Sequence, residues 1–268
     1  KGRPLDHPLI VHIGSIDYLT KWAIDIPEYA WKLAKKFWPG PMTLVLKRST
    51  LAQNFITGNQ DSVGLRMPDH QVASKLLRKF HDLGGNGLAA PSANKFGKVS
   101  STSAAFVKSD LGDDLNNKID FILDGGISQI GIESTVVSCL DNGIEVLRNG
   151  LITKSEILKV INPITFSTKN KMRVKVSGNL KNHYAPKASV IYKGKIEIGD
   201  GFIALEKIPT PEGVVRLMSP KDEIEFAHQL YLAFVQANIL KLERIVVSVP
   251  ESGELSIAIK DRLIRAAN

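Results

Sequence analysis

The chain has 268 residues, 43% hydrophobic and 23% charged, enough for one large domain or two modest ones with a sizeable core. No apolar run approaches the ~18 residues that cross a bilayer, no secretory signal is visible, and the single cysteine, Cys139, excludes an internal disulfide framework and suits a reducing cytosol. The net charge of +8 is uneven: residues 1–187 hold 25 Lys and Arg against 16 Asp and Glu, and residues 188–268 hold 10 against 11. A basic excess confined to the first part suits nucleotides, pyrophosphate or RNA, or simply a soluble surface.

Leu9–Ile13, short and β-branched after a His-Pro turn, reads as a buried strand. Pro27–Phe37 reads as an amphipathic helix, with Trp31, Leu33, Ala34 and Phe37 on or near one side. Trp38-Pro-Gly-Pro41 ends it, because prolines and a glycine cannot continue a helix. Met42–Leu46 and Ser62–Met67 are strands, and His70–Lys79 is a helix whose basic end suits its dipole. Gly84-Gly-Asn-Gly87 turns into a short strand, Leu88–Ala90. A helix starts over Ser101–Val107 with Ser101 or Thr102 as cap, and Phe121–Asp124 reads as a strand before Gly-Gly. Thr135–Leu140 and Ile144–Leu147 flank Asp141-Asn-Gly143, a hairpin signal. The first of these runs makes Cys139 a buried structural thiol. Thr153–Ile161 is a short helix. This irregular mixture predicts an α+β or mixed-sheet α/β domain over residues 1–164.

Over residues 165–187 the periodicity stops, and six basic residues with no acidic ones lie between Lys169 and Lys187, which reads as a linker. Residues 188–268 form a shorter unit. Its strands are Ser189–Tyr192, Gly201–Leu205 and Arg244–Val249, its long helix is Ser219–Asn238 opened by Ser-Pro, and Ser256–Ala267 closes it. That order suits a small open α/β domain.

Four constellations carry chemistry. Lys1 and Arg3, beside a glycine and a proline, form a candidate anion clamp if the segment is extended, because alternate strand residues share a face. The alternative is a solvated basic terminus. His12 lies inside a strand, where it is either a functional group or a core histidine satisfied by a carbonyl. Ala90-Pro-Ser92-Ala-Asn94, followed by Ser100, sets donors and acceptors after a stiff turn, or is a capped turn only. Ser134 starts one arm of the hairpin and Arg148 ends the other, so the two can share a pocket edge; a salt bridge from Arg148 to Glu133 or Glu145 is the plainer reading. Arg66 follows a strand begun by Ser62 and needs a carboxylate, from Asp69 or from a substrate. No phosphate loop, dinucleotide fingerprint or metal-ligand spacing occurs in the sequence.

Taken together and in order, Lys1-Gly-Arg-Pro-Leu-Asp-His-Pro-Leu-Ile-Val-His12, Trp38-Pro-Gly-Pro-Met-Thr-Leu-Val-Leu46, Ser62-Val-Gly-Leu-Arg-Met-Pro68, Ala90-Pro-Ser-Ala-Asn94, Glu133-Ser-Thr-Val136 and Arg148-Asn-Gly150 resemble the YrdC-like, threonylcarbamoyl-AMP synthase family. His183-Tyr-Ala-Pro-Lys187 and Ile257–Ala267 resemble the linker and tail of its long, two-domain form. The resemblance implies a YrdC-like mixed-sheet catalytic domain and a small C-terminal open α/β, Rossmann-like domain. It implies condensation of L-threonine, bicarbonate and ATP, with Mg²⁺ on the phosphates, to threonylcarbamoyladenylate and pyrophosphate. The product feeds the tRNA threonylcarbamoyl-transferase machinery, and the compartment is the cytoplasm, with no membrane partner. Carried over by motif, Lys1 and Arg3 stabilise charge; Arg3, His7, Ser62, Ser92, Asn94, Ser100, Arg148, Tyr184 and Lys187 face ATP; His12, Arg66, Ala90 and Ser134 face threonine. The linker around Tyr184 closes over the site. The family's Pro-Thr-Glu-Thr-Val-Tyr-like string is missing before Lys1, so the chain reads as a piece of a longer protein with its N-terminal segment absent. The linker also has Ser177-Gly where the family has Ser-Pro. Weak RNA binding without catalysis is the rival reading, and a carbamoyl-transfer accessory unit is a third.

Overall fold

The computed structural model describes residues 1–140, 143–162, 174–176, 184–192, 194–251 and 253–267. The expected linker at 165–173 and 177–183, and Asp141-Asn142 of the hairpin turn, lie outside these residues. The first half runs through β1 (Ile10–His12), α1 (Leu19–Trp22), α2 (Glu28–Phe37), β2 (Met42–Lys47), α3 (Asn54–Thr57), β3 (Ser62–Arg66), α4 (Gln71–Asp82) and β4 (Leu88–Ala89). It continues through α5 (Ala104–Leu111), β5 (Thr135–Ser138), β6 (Glu145–Arg148) and α6 (Lys154–Ile161). The remainder is β7 (Ser189–Ile191), β8 (Gly201–Ile203), β9 (Val215–Met218), α7 (Glu223–Ile239), β10 (Arg244–Val247) and α8 (Leu255–Ala266).

Contacts divide the chain into two units. One comprises Arg3–Pro91 and Glu133–Asn179; the other comprises Lys1–Gly2, Ser92–Ile132 and Leu180–Asn268. The first is built on a mixed six-stranded sheet, ordered β4-β1-β3-β2-β5-β6. Its strands alternate between faces with the period of two that pleating imposes. Val11, Leu44, Leu46, Val63, Leu65 and Val137 point to one face and make the core with Tyr29, Ala30, Leu33 and Ala34 of α2. Trp31 and Phe37 are only partly buried at its margin, so the buried stripe of α2 sits about one position earlier than the sequence suggests. Cys139 joins this core, and burial pushes its thiol up to about 12, which fits an inert structural role.

In the second unit, β7-β10-β8-β9 form a four-stranded sheet whose pairings are all parallel. The apolar side of α7 (Phe226, Leu230, Tyr231 and Phe234) is buried, as are Ala258, Ile259 and Leu263 of α8. Both the mixed α/β class and the open α/β second sheet match expectation.

Three local expectations fail and one strand goes unpredicted, each for a visible reason. Phe121–Asp124 is not a strand: Phe121 and Leu123 are exposed, the run pairs with nothing, and Asp124 instead accepts from the Gly126 amide in a turn. Helix α5 is capped by Ser103, not Ser101 or Thr102, because the Ser101 hydroxyl donates to the Ala93 carbonyl. Helix α7 starts after an Asp222 cap, four residues later than Ser219, whose hydroxyl is taken by Arg216. That arginine also hid β9 by breaking its apolar run. Its guanidinium is absorbed by the carbonyls of Ala204, Leu205, Ile208 and Met218.

Candidate functional site

The other face of the six-stranded sheet is where the sequence motifs meet. The parity that sends Val11, Val63, Leu65 and Val137 into the core sends His12, Thr43, Ser62, Gly64, Arg66 and Val136 to the opposite side. His12 lies directly beside Arg66 in the parallel β1–β3 pair and beside Leu88 of β4. The Ala90 amide donates to the Ile10 carbonyl, which fixes the following turn at this edge. The Trp38–Pro41 turn supplies backbone on the same side: Arg66 Nε donates to the Gly40 carbonyl at 3.0 Å, and the Pro41 carbonyl accepts from the Thr135 amide at 2.9 Å.

The hairpin does bring Arg148 to Ser134. Val136 pairs with Arg148 across β5–β6. Arg148 donates through Nε to the Ser134 carbonyl (3.0 Å) and through a terminal nitrogen to the Ser134 hydroxyl (2.9 Å). The Ser134 hydroxyl also contacts Thr43 Oγ1 at 2.8 Å. Thr43 was overlooked in the sequence, although a lone hydroxyl inside Met-Thr-Leu-Val-Leu was the available signal. Gly150 explains why the Arg-Asn-Gly string ends in glycine. A Cβ there would meet the Thr135 nitrogen at 2.4 Å and the Glu133 oxygen at 2.6 Å, both backbone atoms. Gly150→Ala is therefore expected to destabilise the protein by about 1–3 kcal/mol and to displace Ser134; thermal melting and threonine binding measured on the same variant check both.

Two cations on this face repel each other. Arg66 is pushed down to about 10, first by burial and then by the nearby Arg148 charge, and it has no ion pair among the described residues. Asp69 does not serve it. His12 is pushed down to about 4 by burial and then by Arg66, so it is neutral at physiological pH. The unfolded chain binds a proton at His12 near pH 6.5 and the folded chain does not, so folding stability is expected to fall as pH drops from about 6.5 to about 4. The loss is at most about 3 kcal/mol. Denaturant titrations of wild type and His12→Phe over that range should differ in slope.

At the other end of the face, an Arg3 guanidinium nitrogen donates to the Pro8 carbonyl at 2.6 Å. Arg3 is lowered by burial; His7 is lowered by burial and then by Arg3. Ser62 is buried. The extended clamp expected of Lys1 and Arg3 is not present: Gly2 has φ 69°, and no strand starts before Ile10.

The second unit holds the remaining expected residues. Lys1 Nζ donates to the carbonyls of Ser92 (2.7 Å) and Asn94 (2.5 Å). Asn94 is buried; its Nδ2 donates to the carbonyls of Lys95 and Lys98, and its Oδ1 has no partner among the described residues. Ser100 is half-buried and Ser92 exposed. Tyr184 is buried, its ring stacked on Tyr231 at 5.7 Å with the Arg262 guanidinium 5.3 Å from its centre. The Lys187 amide donates to Asn238 Oδ1 at 2.9 Å. Among the described residues no three His, Cys, Asp or Glu are placed to hold a metal ion, and no helix is long and apolar enough to cross a membrane.

The family described as Telomere recombination, named for Sua5, YciO and YrdC, matches residues 1–150, and the family described as Threonylcarbamoyl-AMP synthase, C-terminal domain, matches residues 152–268. The chain belongs to the threonylcarbamoyl-AMP synthase family. Among its relatives, a threonylcarbamoyl-AMP synthase of Pyrococcus abyssi is 37% identical over 286 residues, covering 100% of this chain and 82% of that protein. One from Bacillus subtilis is 44% identical over 194 residues, covering 70% of this chain and 53% of the other, and one from Schizosaccharomyces pombe is 31% identical, covering 81% and 59%. The chain thus spans little more than half of the B. subtilis and S. pombe proteins. A crystal structure of P. abyssi Sua5 complexed with L-threonine superposes with a TM-score of 0.84 at 36% identity, over 100% of this chain and 82% of that one. The family's two parts correspond here to the mixed and the parallel sheets.

Proposed function

We propose that this protein is a cytoplasmic L-threonylcarbamoyladenylate synthase, joining L-threonine, bicarbonate and ATP for tRNA N6-threonylcarbamoyladenosine formation. One observation carries the reading. On one sheet face the half-buried Arg66 is lowered by burial and then by the nearby charge of the buried Arg148, beside Ser134 and a neutral imidazole. A small anion with further polar groups relieves that repulsion. Threonine has that chemistry, and a relative was crystallised with it.

In this reading Arg66 takes the threonine carboxylate, Ala90 supplies backbone at the sheet edge, and Ser134 holds the polar end. Neutral His12 adds no charge against the amine, which must be unprotonated to react. The amine attacks bicarbonate and water leaves. A carbamate oxygen then attacks the α-phosphorus and pyrophosphate departs. No protein nucleophile is required; positioning and compensation of developing charge supply the acceleration. Arg148, bonded to Ser134, is assigned to the ATP side. Lys1, Arg3, His7, Ser62, Ser92, Asn94, Ser100, Tyr184 and Lys187 are assigned to ATP. Mg²⁺ is assigned to the nucleotide phosphates. The product passes to the tRNA threonylcarbamoyl-transferase machinery.

Calorimetry with L-threonine and ATP, set beside RNA retention across a salt series, tests the assignment. The reading requires threonine binding that strengthens in the presence of ATP. RNA retention with a steep salt dependence and no threonine binding would instead support an RNA-binding module.

A further inference from the structure

A cavity of about 560 Å³ lies within the unit that holds the parallel sheet. Small-molecule sites fall between about 300 and 1,000 Å³, so the space is of that class. One wall is the last turn of α7. Val235, Asn238 and Ile239 stand there at i, i+3 and i+4, on a different side of the helix from the buried Phe226, Leu230 and Phe234. The other wall is the start of α5 and the stretch before it, where Ser103, Ala105 and Ser109 are too small to fill the gap. That stretch is held in place by a bridge between Lys98 and Ala185, and by the Ala185 amide donating to the Gly97 carbonyl at 3.3 Å.

The lining joins apolar surface to an excess of donors. Val99 is buried, and Phe106 and Val235 are half-buried, so a flat apolar body can rest against them. Lys98 and Lys187 also line the cavity, and neither ammonium has an ion pair among the described residues. Asp110 is the acidic residue of the lining, and its carboxylate already accepts from the Lys95 amide at 2.6 Å. The Asn238 amide is oriented by the backbone: its Oδ1 accepts from the Lys187 N–H at 2.9 Å, which only the oxygen can do. Its Nδ2 is left as a donor with no acceptor among the described residues. Two cations and an amide donor, set against one engaged carboxylate, select negative charge. Of these lining residues, Lys187 alone is also assigned to ATP.

We infer that this cavity is a binding site, separate from the synthase site, for a small organic anion with a flat apolar body. The anionic group meets Lys98, Lys187 and the Asn238 amide, and the body lies against Val99, Phe106 and Val235. A carboxylate and a phosphate share that chemistry. L-Threonine lacks the apolar body and is not selected. Both lysines are exposed, so the charged contact weakens as salt is raised while the apolar contact persists.

Anilinonaphthalene sulfonate, a flat apolar anion whose fluorescence rises on burial, is the probe. Titrated into the full chain, it should bind saturably at one site. Val235→Trp puts an indole into the cavity and should abolish that binding. Lys98 is exposed, so Lys98→Glu places no burden on folding, and the reversed charge should weaken the dye about three- to tenfold. Calorimetric ATP binding should be the same in both variants as in wild type. Benzoate and phenyl phosphate, competed against the dye, separate the two headgroups, and the better competitor names the one the site takes. Dye binding that both variants retain at wild-type strength, or that neither competitor displaces, would overturn the site. Equal losses of dye and ATP in variants that melt at the wild-type temperature would assign the cavity to the synthase site and overturn its separateness. A wild type that binds the dye and no ATP would overturn the synthase reading and leave this site standing.

Discussion

Arg66→Ala is expected to weaken L-threonine binding by about 100-fold while changing ATP binding by less than about threefold. The first figure follows from losing a bidentate, charge-assisted contact to a carboxylate in a partly buried setting, about 2–5 kcal/mol. The second follows from position. Arg66 sits beside His12 in the β1–β3 pair, and its Nε is spent on the Gly40 carbonyl, leaving the terminal nitrogens for a ligand. The alanine variant relieves the repulsion from Arg148 but leaves the buried Gly40 carbonyl without the Arg66 donor, and it removes the Arg66 charge that, after burial, lowers His12. Arg66→Lys tests the geometry: it keeps the charge and loses the fork, so it should recover only part of the affinity. Calorimetry giving equal losses for threonine and ATP would reject this role.

Arg148→Ala is expected to cost both folding and binding. The guanidinium is buried and donates to two acceptors of Ser134. Removing it strands the buried Ser134 carbonyl while the hydroxyl keeps Thr43 Oγ1, so a stability loss of about 1–3 kcal/mol is expected. In variant that remains folded, ATP affinity or turnover should fall by at least about tenfold, and threonine binding should fall too, since Ser134 loses the bond that orients it. Arg148→Met keeps much of the packing and separates the two effects: stability recovers in part, while the ligand effects persist. Unchanged turnover in a folded Arg148 variant would leave this arginine purely structural.

The candidate-site motifs are more local in the sequence than the strand pairings are, for a physical reason. Motifs with particular residues at fixed offsets are local, and Lys1–His12, Ser62–Pro68 and Arg148–Gly150 carry such signatures. The alternation in Met42–Leu46 and Ser62–Met67 also predicts which residues leave the core, and His12, Arg66 and Ser134 are delivered to one face by parity. Whether an apolar run becomes a strand depends instead on a distant partner. Phe121–Asp124 has the composition and lacks the neighbour, whereas Val215–Met218 has an arginine in its midst and pairs with β8 because that arginine finds carbonyls. Caps failed similarly. Ser101 and Ser219 are good cap residues whose hydroxyls have other partners. Tyr184 shows the same limit: an aromatic in a basic segment reads as a mobile anchor, yet its ring is packed on Tyr231 in the second unit.

The most direct test of the synthase reading is to supply ¹³C-bicarbonate, ATP and L-threonine to the protein and follow the label by mass spectrometry together with pyrophosphate release. The account predicts one adenylate carrying the label, with the mass of threonine, carbonyl and AMP combined, formed with one pyrophosphate and only when all three substrates are present. Hydrolysis of ATP to ADP and phosphate, or pyrophosphate release that ignores threonine, would contradict it.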